Sequence, residues 1–357
     1  MKLLDKYILK RFLTAYFFAV LIILSIILVI DFTEKNDNFV EHGLEMSQIL
    51  GYYKLVIPYF ANFISPLMIF IAAIFVSAKM AGHTEIVAIL SNGVSFARMI
   101  VPFLVGAMFV GLLNFYLQGW VIPDFNKEKI NFEIQYIERP FNYSDRNIHF
   151  QESENVFLYM QSYVNNIKRG NKFSLERIEN TILKEKLTGD YIEWNEDSSR
   201  WTIKNWKLMV FDSLGENITK GKEMDTVLRI RPQDFENNYR KWETLTMHEL
   251  DNHVAELNAR GAMDAPVFKI EKQVRFMSPF TYVILTFLAL IVASRKTRGG
   301  TGVQIAVGFL LAFFFIILYI LSRSIAESST LPYILVVWFP NILFAVISLL
   351  LYKILPR

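Results

Sequence analysis

The residues from His248 to His253 read HELDNH, close to the His-Glu-x-x-His of zinc proteases, in which two imidazoles four apart share one helix face. Here the imidazoles are five apart, which turns them about 140° from each other around a helix. Such ligands splay, so both histidines read as polar residues of a surface helix. Phosphate-binding patterns fail on similar grounds. GENITKGKE, Gly215 to Glu223, has one residue too many between its glycines and a Glu where a P-loop needs Ser or Thr after the Lys. RKTRGGTGVQ, Arg295 to Gln304, lacks a Lys-Ser/Thr pair and reads as a tight basic turn. With no cysteine, disulfides, thiolate metal sites and cysteine nucleophiles are excluded. The sequence thus supplies no catalytic set, no metal-ligand set and no cofactor motif. Any ATP used must be hydrolysed by another chain.

One short stretch has a different character. KMAGHTEIVAILSNGVSFARM, Lys79 to Met99, lies between two long apolar runs. From Thr84 to Ser91 it predicts a short helix, with Thr84 as N-cap, Glu85 favourable in the first turn, and Ile86, Ile89 and Leu90 on one face. Asn92 and Gly93 end it, and Ser95 is placed to cap the next helix. A helix lying on lipid commonly has a basic polar face, and none is present between Glu85 and Ser91. Docking into a groove on a soluble partner fits better.

The elements that position this stretch are membrane spans. Hydrophobic residues make up 53% of the chain and charged ones 20%, a balance expected of a membrane protein with a polar portion, and a net charge of +3 does not suggest nucleic acid. Six apolar runs are long enough to cross a bilayer: Phe12 to Ile30, Leu55 to Ala78, Met99 to Ile122, Phe276 to Ser294, Thr301 to Ser322 and Leu331 to Leu351. The first exceeds a signal-peptide core and reads as a retained span. Lys2, Lys6, Lys10, Arg11, Lys79, Arg98, Arg295, Lys296, Arg298, Lys353 and Arg357 fall on one side, whereas Asp31, Glu34, Asp37, Glu41 and Glu45 fall on the other. By the positive-inside rule both termini and the short amphipathic helix are cytoplasmic. The spans hold essentially no charge, which argues against proton- or ion-coupled transport. Asn62, Ser65, Asn114 and Gln118 are expected to pack helices.

The predicted layout is α-helical, three spans plus three, with an all-β jelly-roll domain inserted on the far side. Residues 1–123 hold the first three spans, with the short helix at about 84–92; 124–245 the β domain; 246–262 a further helix; and 263–357 the last three spans. Strands are expected at Asn155 to Val164, Trp201 to Phe211 and Asp225 to Pro232, with turns at Lys168 to Lys172, Asn195 to Ser199 and Asp212 to Asn217. The helix after them starts at a Thr246/Glu249 capping box, places Leu250, Val254 and Leu257 on one face and stops at Gly261.

In order along the chain, LDKYILKRFL (Leu4 to Leu13), HTEIVAILSNGVS (His83 to Ser95), WTIKNWKLMVF (Trp201 to Phe211), LTMHEL (Leu245 to Leu250) and RFMSPF (Arg275 to Phe280) resemble the LptF/LptG permeases of the lipopolysaccharide exporter. The opening and the final LPYILVVWFPNILFAVISLLLYK (Leu331 to Lys353) look more like LptG. The resemblance implies an LptF–LptG heterodimer enclosing a cavity for lipopolysaccharide, two copies of the LptB ATPase beneath it, and a periplasmic domain passing lipid to an LptC and LptA bridge. It implies an ATPase-coupling segment comprising His83, Thr84, Glu85, Ile86, Ile89, Leu90 and Arg98, and lateral gates at the first and fifth spans. Phe17, Lys35, Arg275 and Arg323 are the candidates for cavity or gate. One departure concerns the outer end of the first span, where family members often place basic residues suited to lipid phosphates. Here IDFTEKNDN, Ile30 to Asn38, has three acids against Lys35. Either Lys54, Arg139, Arg275 or Arg323 makes those contacts, or divalent cations bridge the acids, or the head group differs. The alternative to a permease is a membrane anchor that presents a periplasmic β domain.

Overall fold

The computed structural model describes residues 3–137, 146–196, 198–212, 215–235, 240–259, 265–294, 300–328 and 331–354. Arg139, Gly261, Arg357 and the basic turn at Arg295, Lys296 and Arg298 lie outside these residues. The chain divides into two compact units, one of residues 1–137, 242–250 and 266–357, the other of 138–241 and 251–265.

Among the described residues, the first unit contains six helices long and apolar enough to cross a membrane. They comprise α1 (Leu3–Glu41), α2 (Met46–Gly82), α4 (Phe96–Tyr116), α8 (Ala265–Ala293), α9 (Gly300–Ser328) and α10 (Tyr333–Ile354), with the short α3 (Glu85–Ser91) between α2 and α4. Two brief helices, α6 (Lys241–Thr244) and α7 (Met247–Ala259), precede α8. Several helices outrun their apolar cores. At 39 residues α1 is about twice as long as a bilayer core of ~30 Å requires. It ends where Gly43, at φ 61°, adopts the left-handed backbone, with Gly43 N–H donating to Val40 O and Leu44 N–H to Phe39 O.

The third span also runs on. A π turn at Leu117–Val121 leads α4 directly into α5 (Ile122–Tyr136), so the helix passes well beyond the expected boundary at Asp124. The reason is an amphipathic stretch with no breaker after Pro123: Asn126, Lys129, Ile130 and Glu133 share one buried face. Helices α2 and α8 are interior, with 61% of the α8 apolar window buried inside the chain, whereas α1 has 6%. Polar side chains tie the bundle. Tyr16 on α1 bonds Ser65 on α2, Asn114 Nδ2 on α4 donates to Ser65 Oγ at 3.2 Å, and Asn341 Nδ2 on α10 donates to Thr281 Oγ1 on α8 at 2.8 Å. Gly111 lets α4 approach α8 closely, since a Cβ there would lie 2.9 Å from Pro279 Cα.

The second unit holds an antiparallel sheet of seven strands: β1 (Ile148–Ser153), β2 (Val156–Met160), β3 (Ser162–Val164), β4 (Arg169–Glu179), β5 (Ile182–Asn195), β6 (Arg200–Asp212) and β7 (Gly215–Thr226). The order is β1-β2-β4-β5-β6-β7, with β3 also pairing β4, so the chain runs as a meander. Two expected strands, at Asn155 to Val164 and Trp201 to Phe211, are present as β2 with β3 and as β6. The third is corrected: only Asp225 and Thr226 of Asp225 to Pro232 belong to a strand. Leu228 and Ile230 instead cover the core, with Trp201 Nε1 donating to Ile230 O at 2.8 Å. The turn expected at Lys168 to Lys172 is confined to the start of that stretch, because Arg169 already pairs with Val164 and Glu193. The stretch GENITKGKE lies within β7.

Candidate functional site

Helix α3 is joined to α2 through His83 and Thr84 and to α4 through Asn92, Gly93, Val94 and Ser95. Its C-terminus closes as α1 does, with Gly93 at φ 81° and Val94 N–H donating to Ile89 O. Ser95 caps α4, accepting from Arg98 N–H at 3.3 Å. Thr84 does not cap α3. It sits at φ 61°, rare for a β-branched residue, and its hydroxyl donates back to His83 O at 2.6 Å. An N-cap takes extended backbone, whereas Thr84 is left-handed at this sharp joint, where its N–H closes α2 on Ala81 O, and its hydroxyl makes no bond to the α3 amides.

The apolar stripe of α3 divides. Ile86 is 4% exposed and belongs to the chain's own membrane core, with Ile89 packed partly against it. Leu90, at 40%, faces outward, joined by Val87 at 58%, a residue the sequence pattern did not single out. His83 is exposed. Glu85 is held by α1: Arg11 Nη1 donates to Oε1 at 3.0 Å and to Oε2 at 2.9 Å, and Tyr7 OH donates to Oε2 at 3.1 Å. Arg98 likewise reaches α1, donating to the buried Asp5 at 2.7 Å. Tyr7, Arg11 and Asp5 were not anticipated as partners. Their only sequence signal is the i, i+4 placement of Tyr7 and Arg11, which says nothing of a residue 74 positions away.

Of the candidate cavity residues, the structure brings two together, Arg275 and Arg323, on one buried acid, Glu271. Phe17 is 53% exposed on α1, its ring edge-on to Tyr16. Lys35 donates to Asp31 at 2.8 Å and to Tyr52 OH at 2.6 Å, with Glu133 at 3.7 Å, so its own charge is already engaged by acids of the chain. Tyr52 OH in turn donates to Glu133 at 2.8 Å, joining α2 to α5. Arg275 is 1% exposed. Its guanidinium donates to Glu271 at 3.1 Å, to Leu245 O at 2.7 Å and to Trp242 O at 2.8 Å. In this chain it braces α8 to the segment leading into α7. Arg323 on α9 donates to the other oxygen of Glu271 at 3.1 Å and to Glu327 at 3.3 Å. Glu271 is an acid whose burial the sequence does not reveal, because it precedes the apolar run that begins at Phe276. Lys54 is exposed.

The segment Arg275 grips is held from the other side as well. Asn126 Nδ2 donates to Glu243 O at 3.1 Å and Lys127 Nζ to Glu249 at 3.0 Å. Gly119, in the π turn, leaves room for Met247: a Cβ would lie 3.1 Å from its Cγ. The expected capping box is formed, Thr246 N–H donating to Glu249 at 2.8 Å and Glu249 N–H to Thr246 Oγ1 at 3.4 Å. The Thr246 amide, with Lys127 and the Thr246 hydroxyl, pulls the Glu249 carboxyl down to about 2. Among the described residues, no group of three or more His, Asp or Glu is placed to hold a metal ion.

None of the curated proteins matches this sequence. Residues 6–354 match the family described as the lipopolysaccharide export system permease LptF/LptG. That match takes in all six apolar helices, the inserted sheet and α3. This multi-pass membrane protein therefore belongs to the LptF/LptG family of lipopolysaccharide export permeases, transport subunits rather than enzymes.

Proposed function

We propose that the chain is one of two permease subunits, the LptG-like one, of a transporter that extracts lipopolysaccharide from the inner membrane and delivers it to a periplasmic LptC and LptA bridge. The partner subunit is LptF and the power comes from an LptB dimer docked against α3. The observation that carries this reading is α3 itself: a seven-residue helix without a side-chain N-cap, fixed between two spans, with Val87 and Leu90 turned outward. An anchor has no use for such a helix at the basic-flanked end of its spans. The basic residues Lys6, Lys10, Arg11, Lys79 and Arg98 flank that end, and Asp31, Glu34, Asp37, Glu41 and Glu45 the other, which supports cytoplasmic termini and a periplasmic β domain.

ATP binding closes the LptB dimer, α3 follows, and the cavity between the two permeases narrows. A ligand shifts such an equilibrium only through contacts that differ between the states, and α3 is where those contacts reach the membrane unit. Phe17, on the uncovered face of α1, belongs to the gate with α9. Lys54 meets head-group phosphates directly, while Lys35 and Arg323 do so by exchanging their carboxylate partners. In a reconstituted transporter, Glu85→Ala and Glu85→Lys are expected to weaken LptB co-purification or to uncouple hydrolysis from lipid release. Unchanged LptB binding together with unchanged lipid release would refute the docking role.

A further inference from the structure

We infer that Arg11 is a positioning residue for Glu85, and that through this pair a displacement of α3 is delivered first to α1. The inference rests on the reading of α3 as the ATPase-facing helix, and it adds the route by which motion enters the bundle. Helix α3 hangs between α2 and α4 on short joints, each containing a residue in the left-handed backbone, Thr84 at φ 61° and Gly93 at φ 81°. Its principal polar brace is not to either covalent neighbour but to α1. One nitrogen of Arg11 meets both Glu85 oxygens, at 3.0 and 2.9 Å, and Tyr7 OH adds a third bond at 3.1 Å. The Arg11 nitrogen also donates to Tyr7 OH at 2.5 Å, so the three side chains form one closed set. Beside it Ile86 is buried in the same apolar cluster as Ile8 and Phe12 of α1. Asp5 and Arg98, 2.7 Å apart, repeat the tie between α1 and the first turn of α4. Charge-assisted bonds of this kind are the stronger class, and this one is only partly open to water.

The receiving element is suited to move. Just 6% of the apolar window of α1 is buried within the chain, so its displacement sacrifices less packing than that of α2 or α8. The Glu85 side chain remains 29% exposed, leaving it open to a cation of a partner as well. It is thus a shared acid: a partner cation pulls on it, and Arg11 passes the pull to α1.

The chain has no cysteine, so spin labels can be placed at will. In the assembled transporter, labels at Lys6→Cys and Ser91→Cys report α1 against α3, and labels at Lys79→Cys and Ser91→Cys report α2 against α3. On trapping with ATP and vanadate, the first pair is expected to keep one narrow distance while the second changes. Arg11→Ala is expected to broaden the first distance and to lower lipid released per ATP hydrolysed several-fold, with Arg11→Lys recovering part of both. The inference is overturned if trapping changes the Lys6–Ser91 distance in the parent, or if Arg11→Ala matches the parent in both readouts. Failure of the docking reading is seen separately, as normal LptB binding together with normal lipid release by Glu85→Ala. In that event the nucleotide-free Lys6–Ser91 distance, with and without Arg11, still decides whether Arg11 positions α3.

Discussion

Replacing Arg275 with Ala tests whether the segment before α7 is fastened to the membrane unit as the contacts indicate. The side chain is almost fully buried and its partner Glu271 is 5% exposed. Breaking a buried pair by removing one member costs about 3–5 kcal/mol, because the other charge is left behind. Here Glu271 keeps Arg323 at 3.1 Å, which moves the charge term towards the lower end. The carbonyls of Leu245 and Trp242 lose their donor as well, at about 1–3 kcal/mol for each that water does not reach. Terms within one network do not add, so a local loss of about 3 kcal/mol is the working figure, equivalent to roughly a hundredfold increase in opening. Hydrogen exchange on the purified permease resolves it: amides of residues 242–250 should exchange roughly a hundredfold faster, with β5 and β6 unchanged. Arg275→Lys, which keeps the charge but loses the fork that spans two carbonyls and a carboxylate, should fall between. Unchanged protection in the Ala variant, or an equal loss across both units, would refute the brace.

Three other outcomes follow from named contacts. Glu249 has its carboxyl lowered to about 2 in the folded chain, so its contribution is present above the ordinary value of 4.5 and lost as pH falls towards 2. Exchange at the start of α7, corrected for intrinsic rates, should accelerate through that window in the parent and stay flat in Glu249→Gln; because the side chain is 44% exposed, the effect is modest. Phe17→Asp should impair lipid release while the sheet stays folded, as judged by protease resistance of residues 148–226 at equal membrane yield; parental release would remove Phe17 from the gate. The β4–β5 hairpin turns on Asn180 at φ 49° and Thr181 at φ 65°. Thr181→Gly should therefore raise the thermal midpoint of the β unit, by an amount corresponding to about 1 kcal/mol, whereas Thr181→Val should lower it.

The membrane part was legible because a bilayer imposes a composition over about 20 residues, and that signal needs no partner. Its ends were not, since beyond the apolar core only helical periodicity continues. In α5 the buried face includes Asn126, Lys129 and Glu133, so polarity hid the period. Among the strands, β6 was readable from Trp201, Ile203 and Leu208, but β4 and β5 were hidden by their charges. Lys186 opposite Glu176 and Arg169 opposite Glu193 pair across the sheet, on positions that look like loop in sequence. A turn made by Asn-Thr lacks the glycine that normally announces a hairpin.

At the candidate site, local chemistry was legible and long-range chemistry was not. Glu85, the ending at Gly93 and the cap at Ser95 follow from spacing. That Ile86 turns inward while Val87 turns outward depends on where α1 lies, and Arg11 finds Glu85 only once the bundle is assembled. The candidate cations for lipid phosphates lie near or beyond the ends of the apolar runs, where polar partners of the same chain are also found. Arg275 had a carboxylate four residues away on its own helix, Glu271, and Lys35 had Asp31 in the same relation. Those pairs were visible in sequence and point to internal neutralisation.

The central claim, that this permease is driven through α3 to move lipopolysaccharide, is tested most directly by purifying it from native membranes and measuring bound subunits and lipids by mass spectrometry. The account predicts an ATPase in stable stoichiometry, lost with Glu85→Lys, and lipopolysaccharide whose occupancy falls on trapping with ATP and vanadate. Recovery of the chain without an ATPase, or with lipopolysaccharide occupancy indifferent to nucleotide, would contradict it.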